Sequence, residues 1–522
     1  MRRAFGALGA ALAIVLGGCD GTATSQANTT VAATPADPEQ EVFYQIFTRS
    51  MRDSNGDGEG DLRGITDSLD YLNQLGVTSI LLTPLYPSEF YHNYFADDFE
   101  SVDPEFGTMA DYHRLVSEIH KRGMKIYLDQ EIQYVAYGHP WYKSALGNPA
   151  SPYSDFLIWH GPGNTKPEEG PFGITIAPRF PDGETGITTV NMKSPALKTY
   201  FEKFFLSWVD PNGDGDFSDG VDGFRLDHMM DDLDDKHILT GLFDDFWKPI
   251  FAKVRATNPK ATFIAEQSDW GYGTDYLTKG DVDYVFAFPL MGAIRAFDRD
   301  KIAEAIAGTA TATPAGKHQL VFAANHDTNR LASEPGITPE KLRTAAVLTM
   351  LLKGTPLIYY GEELGMRGAQ RPEYQTDEKD IGTREAFEWK ADPVGAPHAN
   401  WYHSAKSYWT ERFNRKDDGI SVEEEDRDPG SLLSLYRKVL ALRHGTPAFE
   451  EGSQRVLESA PGILVVERAQ GDRRYLIVSN LTDAEARYRP EGVAARDLLG
   501  TSPTTDGEIV LAPYRSAVLG PR

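Results

Sequence analysis

The chain reads as an α/β protein: a (β/α)8 TIM barrel with a small domain inserted after the third strand, followed by a C-terminal antiparallel β-sandwich. Three observations predict this. Short apolar runs recur eight times from Val42 onward. Amphipathic segments of helical spacing separate most of them, and strands separated by helices pair in parallel. Beyond residue 446 the helical spacing stops and short alternating runs take over, as in antiparallel sheets.

The first element is a leader. Arg2 and Arg3 precede an apolar stretch from Ala4 to Leu16, which ends in Leu16-Gly17-Gly18-Cys19. A basic start followed by an apolar run is a secretory signal. Its ending resembles a bacterial lipobox, so residues 1–19 are expected to be a signal peptide with Cys19 as the lipidation site. Cys19 is the single Cys of the 522 residues, so no intrachain disulfide can form. Residues 20–40 are rich in Thr, Ala, Ser and Pro and read as a flexible tether. No later run reaches the roughly 18 apolar residues of a membrane span. The expected location is extracytoplasmic, with the membrane touched only through the lipid anchor.

Barrel strands are expected at Phe43–Thr48, Ser79–Thr83, Lys125–Asp129, Gly223–Asp227, Thr262–Glu266, Tyr284–Phe288, Leu320–Asn325 and Pro356–Tyr360. Helices are expected at Met109–Arg122, Pro195–Val209, Gly241–Ala256, Pro339–Lys353 and Gly430–His444. Residues 41–132 and 194–446 then make the barrel. The Pro- and Gly-rich segment 133–193 is the insertion. Residues 447–522 make the sandwich, with strands at Gly462–Arg468, Arg474–Asn480 and Gly507–Leu511.

Charge narrows the partner. A net charge of −25 argues against nucleic acid, because phosphate binding needs an excess of Lys and Arg. It suits neutral substrates or cations, although solubility alone accounts for most of it.

Functional groups of such a barrel stand at the C-terminal ends of its strands. Those ends supply Asp129, Asp227, Glu266, His326 and Asp327. A lone Asp after a strand is most often a helix cap. Several acids on neighbouring strand ends suit glycoside cleavage, which needs one ionised and one protonated carboxyl group.

The surrounding residues carry a resemblance. Gly223-Phe224-Arg225-Leu226-Asp227, Phe263-Ile264-Ala265-Glu266 and Asn325-His326-Asp327 resemble three signature segments of the α-amylase superfamily, glycoside hydrolase family 13. The run from Gly354 to Glu363 resembles its last barrel strand, and the run from Asp53 to Leu62 its first loop. The resemblance implies Asp227 as nucleophile, Glu266 as acid/base and Asp327 as the third acid, which holds sugar hydroxyls. It implies Arg225 as the cation that keeps Asp227 ionised, and His326, His92 and Tyr94 as contacts of the reactive sugar. It further implies a retaining mechanism on an α-glucan or maltooligosaccharide, with the two carboxyls roughly 5–5.5 Å apart.

The resemblance breaks at several places, one of them His228-Met229-Met230-Asp231, where many amylases have a Lys-His pair. The first signature segment reads Asp129-Gln130-Glu131-Ile132-Gln133-Tyr134, with Gln133 and Tyr134 where the family has Asn and His. Tyr91 stands where exo-acting α-glucosidases commonly carry an Asp, which leans towards an open, endo-acting cleft.

Two Gly-rich acidic loops suggest Ca²⁺, since hard oxygen ligands on alternate residues suit that ion. The first offers Asp53, Asn55, Asp57 and Asp61, with Glu59 giving its backbone carbonyl as in family loops of this form. The second offers Asp210, Asn212, Asp214 and Asp216, but Val221 occupies the twelfth position where an EF-hand has Glu. Hydrogen-bonded turns without a metal remain the alternative for both.

The expectation is a lipid-anchored retaining α-glucan hydrolase of α-amylase type. A transglycosylase or an α-1,6- or α-glucosidase on the same scaffold stays open, as does a catalytically inactive glucan-binding lipoprotein. Oligomeric state is not legible, nor is the role of residues 367–428, a segment with Trp389, Trp401 and Trp409.

Overall fold

A computed structural model describes residues 40–374, 377–403, 413 and 415–521. Cys19, the leader, the tether as far as Glu39, and Trp409 lie outside the described residues. Among the described residues no helix is long and apolar enough to cross a membrane.

Eight parallel strands close a barrel in chain order: Phe43–Ile46 (β1), Ser79–Leu82 (β2), Lys125–Gln130 (β3), Gly223–Leu226 (β4), Thr262–Ala265 (β5), Tyr284–Phe286 (β6), His318–Val321 (β7) and Thr355–Tyr359 (β8). All eight expected strands are present. The seventh starts and stops earlier than its apolar run suggested: Phe322 to Asn325 leave the ladder, so His326 and Asp327 stand on a loop beyond it. Apolar content alone cannot mark where hydrogen bonding ends.

The barrel interior is filled by Phe43, Leu81, Tyr127, Ile264, Tyr284, Phe286, Leu320 and Leu357, one buried cluster drawn from seven strands. Strand β4 contributes differently. It faces the interior with Gly223 and Arg225, which pair with Tyr127 and Asp129 of β3. Gly223 is needed there, since a Cβ would lie 2.8 Å from a Tyr127 ring carbon and 2.2 Å from the Thr262 carbonyl. Amphipathic helices wrap the outside. The helix Met109–Lys121 starts with a capping box between Thr108 and Asp111, and Ser194 caps Pro195–Val209.

The insertion folds into a three-stranded antiparallel sheet, with Glu184–Thr189 between Tyr134–Ala136 and Ile176–Pro178. At the C-terminus, one sheet contains Ser453–Leu457 (β9), Ile463–Gln470 (β10), Arg473–Asn480 (β11) and Ser516–Leu519 (β15). A second contains Ala486–Tyr488 (β12), Thr504–Thr505 (β13) and Glu508–Leu511 (β14). The two share a core of Val465, Leu476, Val478, Ile509, Leu511 and Leu519, which makes them a sandwich.

The long segment after β8 packs onto the barrel top. Trp389 donates its indole N–H to the Met51 carbonyl at 2.8 Å, and Trp401 donates to Ser50 Oγ at 2.8 Å while stacking on Tyr91. Both rings are buried.

Candidate functional site

Register builds the centre. Leu226 of β4 pairs with Ala265 of β5, so Asp227 and Glu266 leave neighbouring strand ends at the same height. Backbone hydrogen bonds continue one step further: the Asp227 N–H reaches the Gln130 carbonyl, and the Glu266 N–H reaches the Leu226 carbonyl, both at 3.0 Å. Arg225 points inward one layer below. Its Nη1 donates to both oxygens of Asp129, at 2.8 and 2.9 Å, and to Asp227 Oδ1; its Nη2 donates to Glu266 Oε2 at 2.7 Å. One guanidinium thus spans both expected catalytic carboxyls, and its short span keeps them close. This suits the spacing of roughly 5–5.5 Å that retention requires.

One cation cannot neutralise three buried carboxylates, so protons stay on some of them. Burial pushes the Glu266 carboxyl up to about 8, with Arg225 opposing and the Asp227 charge adding to the rise. Burial likewise pushes Asp129 up to about 7. Burial also works against ionisation of Asp227, but the Arg225 guanidinium and then His228 outweigh it and hold this carboxyl well below its usual range. The two strand-end acids therefore differ near neutral pH: Glu266 keeps its proton and Asp227 lacks one. This is the division of labour that acid-assisted glycoside cleavage needs.

Tyr94 closes one side. Its hydroxyl donates to Asp129 Oδ2 at 2.8 Å and lies 2.6 Å from His326 Nε2, with the two rings stacked. Gln45 of β1 meets the other His326 nitrogen at 3.1 Å. Burial pushes His326 down to about 4, so the imidazole is neutral at pH 7. His92 receives the Tyr94 backbone N–H on Nδ1 at 3.0 Å, which fixes the turn carrying both rings.

Asp327 Oδ2 lies 3.2 Å from His326 Nε2, and Asp327 Oδ1 accepts from Arg384 at 3.1 Å. Burial opposes ionisation of Asp327, yet His326 and Arg384 hold it below its usual range. With the imidazole neutral, Arg384 is the cation that does this near pH 7. Arg384 also donates to the His326 carbonyl at 3.0 Å and to the Tyr91 hydroxyl at 2.8 Å. It belongs to the segment after β8, where the sequence offers no motif to mark it. Gln45 and Glu131 also escaped the sequence reading, one as an ordinary strand polar residue, the other inside an altered motif.

The altered first segment has its own work. Gln133 donates Nε2 to the backbone carbonyls of Asp227 and His228, the latter at 3.0 Å. It therefore anchors the turn that carries Asp227. Tyr134 is buried and donates to Asp234 Oδ1 at 2.7 Å. Glu131 Oε1 accepts the Gln133 N–H at 2.7 Å, and its Oε2 lies 3.8 Å from His228 Nδ1, which in turn sits 3.3 Å from Asp227 Oδ2.

The two acidic loops differ. In the first, Asp53 accepts from the N–H groups of Asn55, Gly56 and Gly58 at 3.1, 2.6 and 2.9 Å. Asn55 and Asp57 accept the N–H groups of Asp57 and Glu59, and Asp61 caps the following helix through Gly64. The Glu59 carboxylate accepts from Arg49 on Oε2 at 2.7 Å. In the second loop, Asp210, Asn212, Asp214 and Asp216 accept N–H groups of the loop in the same way. There, however, Asp210 Oδ1 and Asp219 Oδ1 are buried without a hydrogen-bond partner. Orphaned buried carboxylate oxygens are costly and suit a hard cation. The donor chemistry of both loops fits Ca²⁺, and the second also has lone pairs to give it.

Residues 45–452 match the family model described as alpha amylase, catalytic domain. The chain is 30% identical over 511 residues to Alpha-amylase 3 of Dictyoglomus thermophilum, with 92% of each chain covered. It is 29% identical over 414 residues to the 4-alpha-glucanotransferase of Thermotoga maritima, covering 75% of this chain and 85% of that one. Among solved structures, the alpha-amylase from H. orenii superposes with a TM-score of 0.75 at 26% identity, covering 92% of this chain and 99% of that chain.

Proposed function

The chain belongs to the α-amylase family of glycoside hydrolases and related transferases, and on that premise we propose that it hydrolyses α-1,4-glucosidic bonds in starch-like glucans or maltooligosaccharides with retention. One observation carries the reading: Arg225 holds Asp227 and Glu266 together while their surroundings drive their proton affinities apart.

The chemistry follows from those states. Asp227, ionised, attacks the anomeric carbon as Glu266 gives its proton to the departing glycosidic oxygen. A glycosyl ester on Asp227 results. Glu266, now a carboxylate, takes a proton from water, and the resulting hydroxide attacks the same carbon and releases Asp227. Asp327, kept ionised by Arg384, accepts hydrogen bonds from sugar hydroxyls and stabilises the developing positive charge. Tyr94 stacks on the reacting ring, and His326 hydrogen-bonds it. Tyr91, with an aromatic ring where an acid would close a pocket, supports an endo-acting cleft. Transfer to a sugar hydroxyl is the second reading, favoured by the similarity to the 4-alpha-glucanotransferase.

Ca²⁺ would be held by Asp53, Asn55, Asp57, Asp61 and the Glu59 carbonyl, and by Asp210, Asn212, Asp214 and Asp216, supplying stability and no bond-making step. A lipid on Cys19 would fix the enzyme to an extracytoplasmic membrane surface. The test is reducing-sugar release and product analysis on maltooligosaccharides. Wild type should release short sugars and Asp227→Asn should release none; equal release by both would end the enzymatic reading, and products longer than the substrate would mark a transferase.

A further inference from the structure

The end of the barrel opposite Asp227 carries a cleft that the proposed reaction does not use. It lies where the N-terminal ends of β7 and β8 meet the edge strand β9 of the sandwich, and its volume is about 560 Å³. Clefts of that size hold small-molecule ligands. The helix Arg299–Ala312 forms one wall and lines it with Ala303, Ala307 and Ala310, positions that share one helical face. Methyl groups there leave room that larger side chains would fill. Leu290, Ile306 and Val456 complete the aliphatic lining. Gln454 of β9 accepts the Lys353 N–H on Oε1 at 2.6 Å, which ties the sandwich wall to the start of β8.

Two polar side chains of that lining are buried and unsatisfied among the described residues. Gln319 is 2% exposed. Its Nε2 donates to the Tyr272 carbonyl at 3.1 Å and to Thr313 Oγ1 at 3.0 Å, which fixes the amide and leaves Oε1 with no partner. Thr309 is 8% exposed, and its Oγ1 has none either. Its neighbours Thr311 and Thr313 instead donate to the carbonyls four residues before them, at 2.9 and 2.7 Å. Thr313, which holds the Gln319 amide, is one helical turn beyond Thr309, so the two orphaned oxygens lie near the same part of the cleft. A buried polar atom without a partner is costly, and beside an open cleft it suits a ligand that supplies one.

We infer that this cleft is a binding site for a neutral amphiphile, an aliphatic chain that carries hydroxyl groups. The chain lies against the alanine face and Val456, one hydroxyl donates to Gln319 Oε1, and a second pairs with the Thr309 hydroxyl. Other ligand classes fit the same walls less well. A second glucan site would want a flat aromatic platform, and no Phe, Tyr or Trp is among the described residues that line the cleft. A carboxylate brings no proton for Gln319 Oε1. An alkylammonium would face two lysines, Lys317 and Lys353, against one Glu450. The neutral ligand touches barrel and sandwich together, so its binding also clamps the two.

The probe is 1,2-octanediol, tested on the full chain by titration calorimetry and by thermal unfolding. Wild type should bind it saturably and melt at a higher temperature in its presence. Glycerol, the head without the chain, and octanoate, the chain with a charged head, should each bind roughly tenfold more weakly or worse. Ala307→Trp fills the cleft from an exposed helix position and should abolish binding. Thr309→Val keeps the shape and removes the orphaned hydroxyl. It should weaken diol binding roughly fivefold and leave the unliganded melting temperature equal or higher. No saturable binding of 1,2-octanediol by wild type would overturn the inference. So would binding by Ala307→Trp within twofold of wild type, or octanoate binding as tightly as the diol. No sugar enters these readouts, so they stand apart from the outcome with Asp227→Asn.

Discussion

The two halves of the barrel top make an instructive contrast. On one side of Asp227 and Glu266 stand Tyr94, His326, Asp327 and Arg384, a closed set in which most polar groups have a partner at 2.6–3.2 Å. On the other, Glu131 and Gln133 are buried, while His228 is partly and Phe172 largely exposed to solvent, both strained in backbone. The first half follows the family pattern, and the second departs from it. On the proposed reading, the donor half must match one transition state, so its residues are constrained by chemistry. The acceptor half has only to suit a particular sugar partner, so it is free to differ.

The largest effect should come from the shared centre, on which both halves depend. Asp227→Asn removes the nucleophile, and glucan cleavage should fall by at least ~10⁴-fold, because the remaining groups cannot replace covalent catalysis. Glu266→Gln should be severe on maltooligosaccharides and mild on α-maltosyl fluoride, whose leaving group needs no proton. Steady-state rates on the two substrates check both expectations. Equal losses on the two substrates for Glu266→Gln would remove the acid from its role.

Next comes the donor half. Arg384→Ala leaves Asp327 without its cation and frees the Tyr91 hydroxyl. Misplacement of one orienting group costs about 10²-fold, so kcat/KM should fall by roughly that much on both substrates alike. A fall on maltopentaose only would mean that Arg384 serves the acceptor side, and the division of the site would fail.

The pH profile tests the centre without substitution. Burial raises the Glu266 carboxyl to about 8, and the active form carries its proton, so kcat/KM on maltooligosaccharides should fall as pH rises through about 8. Asp227 is lowered and its active form is ionised, so loss on the acid side should set in only below the ordinary carboxylate range. With α-maltosyl fluoride the alkaline limb should weaken, since protonation of the leaving group is no longer required.

How much of this was legible before the structure depends on what each residue does. Asp227 and Glu266 stand directly at strand ends, and Asp327 follows the apolar run that begins as β7, so pattern places all three. Arg225 was legible because it lies on the same strand as its partner. Arg384 was not, because it reaches Asp327 from 57 residues away in a segment without periodicity. Gln133 was visible as a departure, but its task, holding two carbonyls across the barrel top, depends on β3 and β4 being adjacent. Phe172 was hidden altogether, since one aromatic residue in a Pro- and Gly-rich insertion carries no spacing signal. Replacing Gln133 by Ala removes both hydrogen bonds from the turn that carries Asp227. Roughly thirtyfold in kcat/KM should be lost, since the two hydrogen bonds contribute about 1 kcal/mol each.

The smallest effect concerns the proposed calcium loops, which relate to the two halves unequally. The loop from Asp53 to Asp61 is tied to the donor half through Arg49, which donates to Glu59 Oε2 at 2.7 Å and to the Tyr91 carbonyl at 2.8 Å. The loop from Asp210 to Asp219 precedes β4, so it lies at the opposite end of that strand from Asp227. If both loops hold Ca²⁺, chelation removes a ligand of the folded state and lowers the melting temperature, by about 2 °C for each ~2 kcal/mol of binding lost in a chain this long. The consequences for activity should separate. Loosening the first loop should raise KM for α-maltosyl fluoride through Tyr91 and Tyr94, whereas Asp219→Asn in the second should lower the melting temperature and leave KM where it was. Thermal unfolding with and without chelator, beside KM measured below the transition, distinguishes the two. A KM that rises with Asp219→Asn would mean that the far end of β4 communicates with the site, and the donor half would then owe its geometry to more than its own contacts.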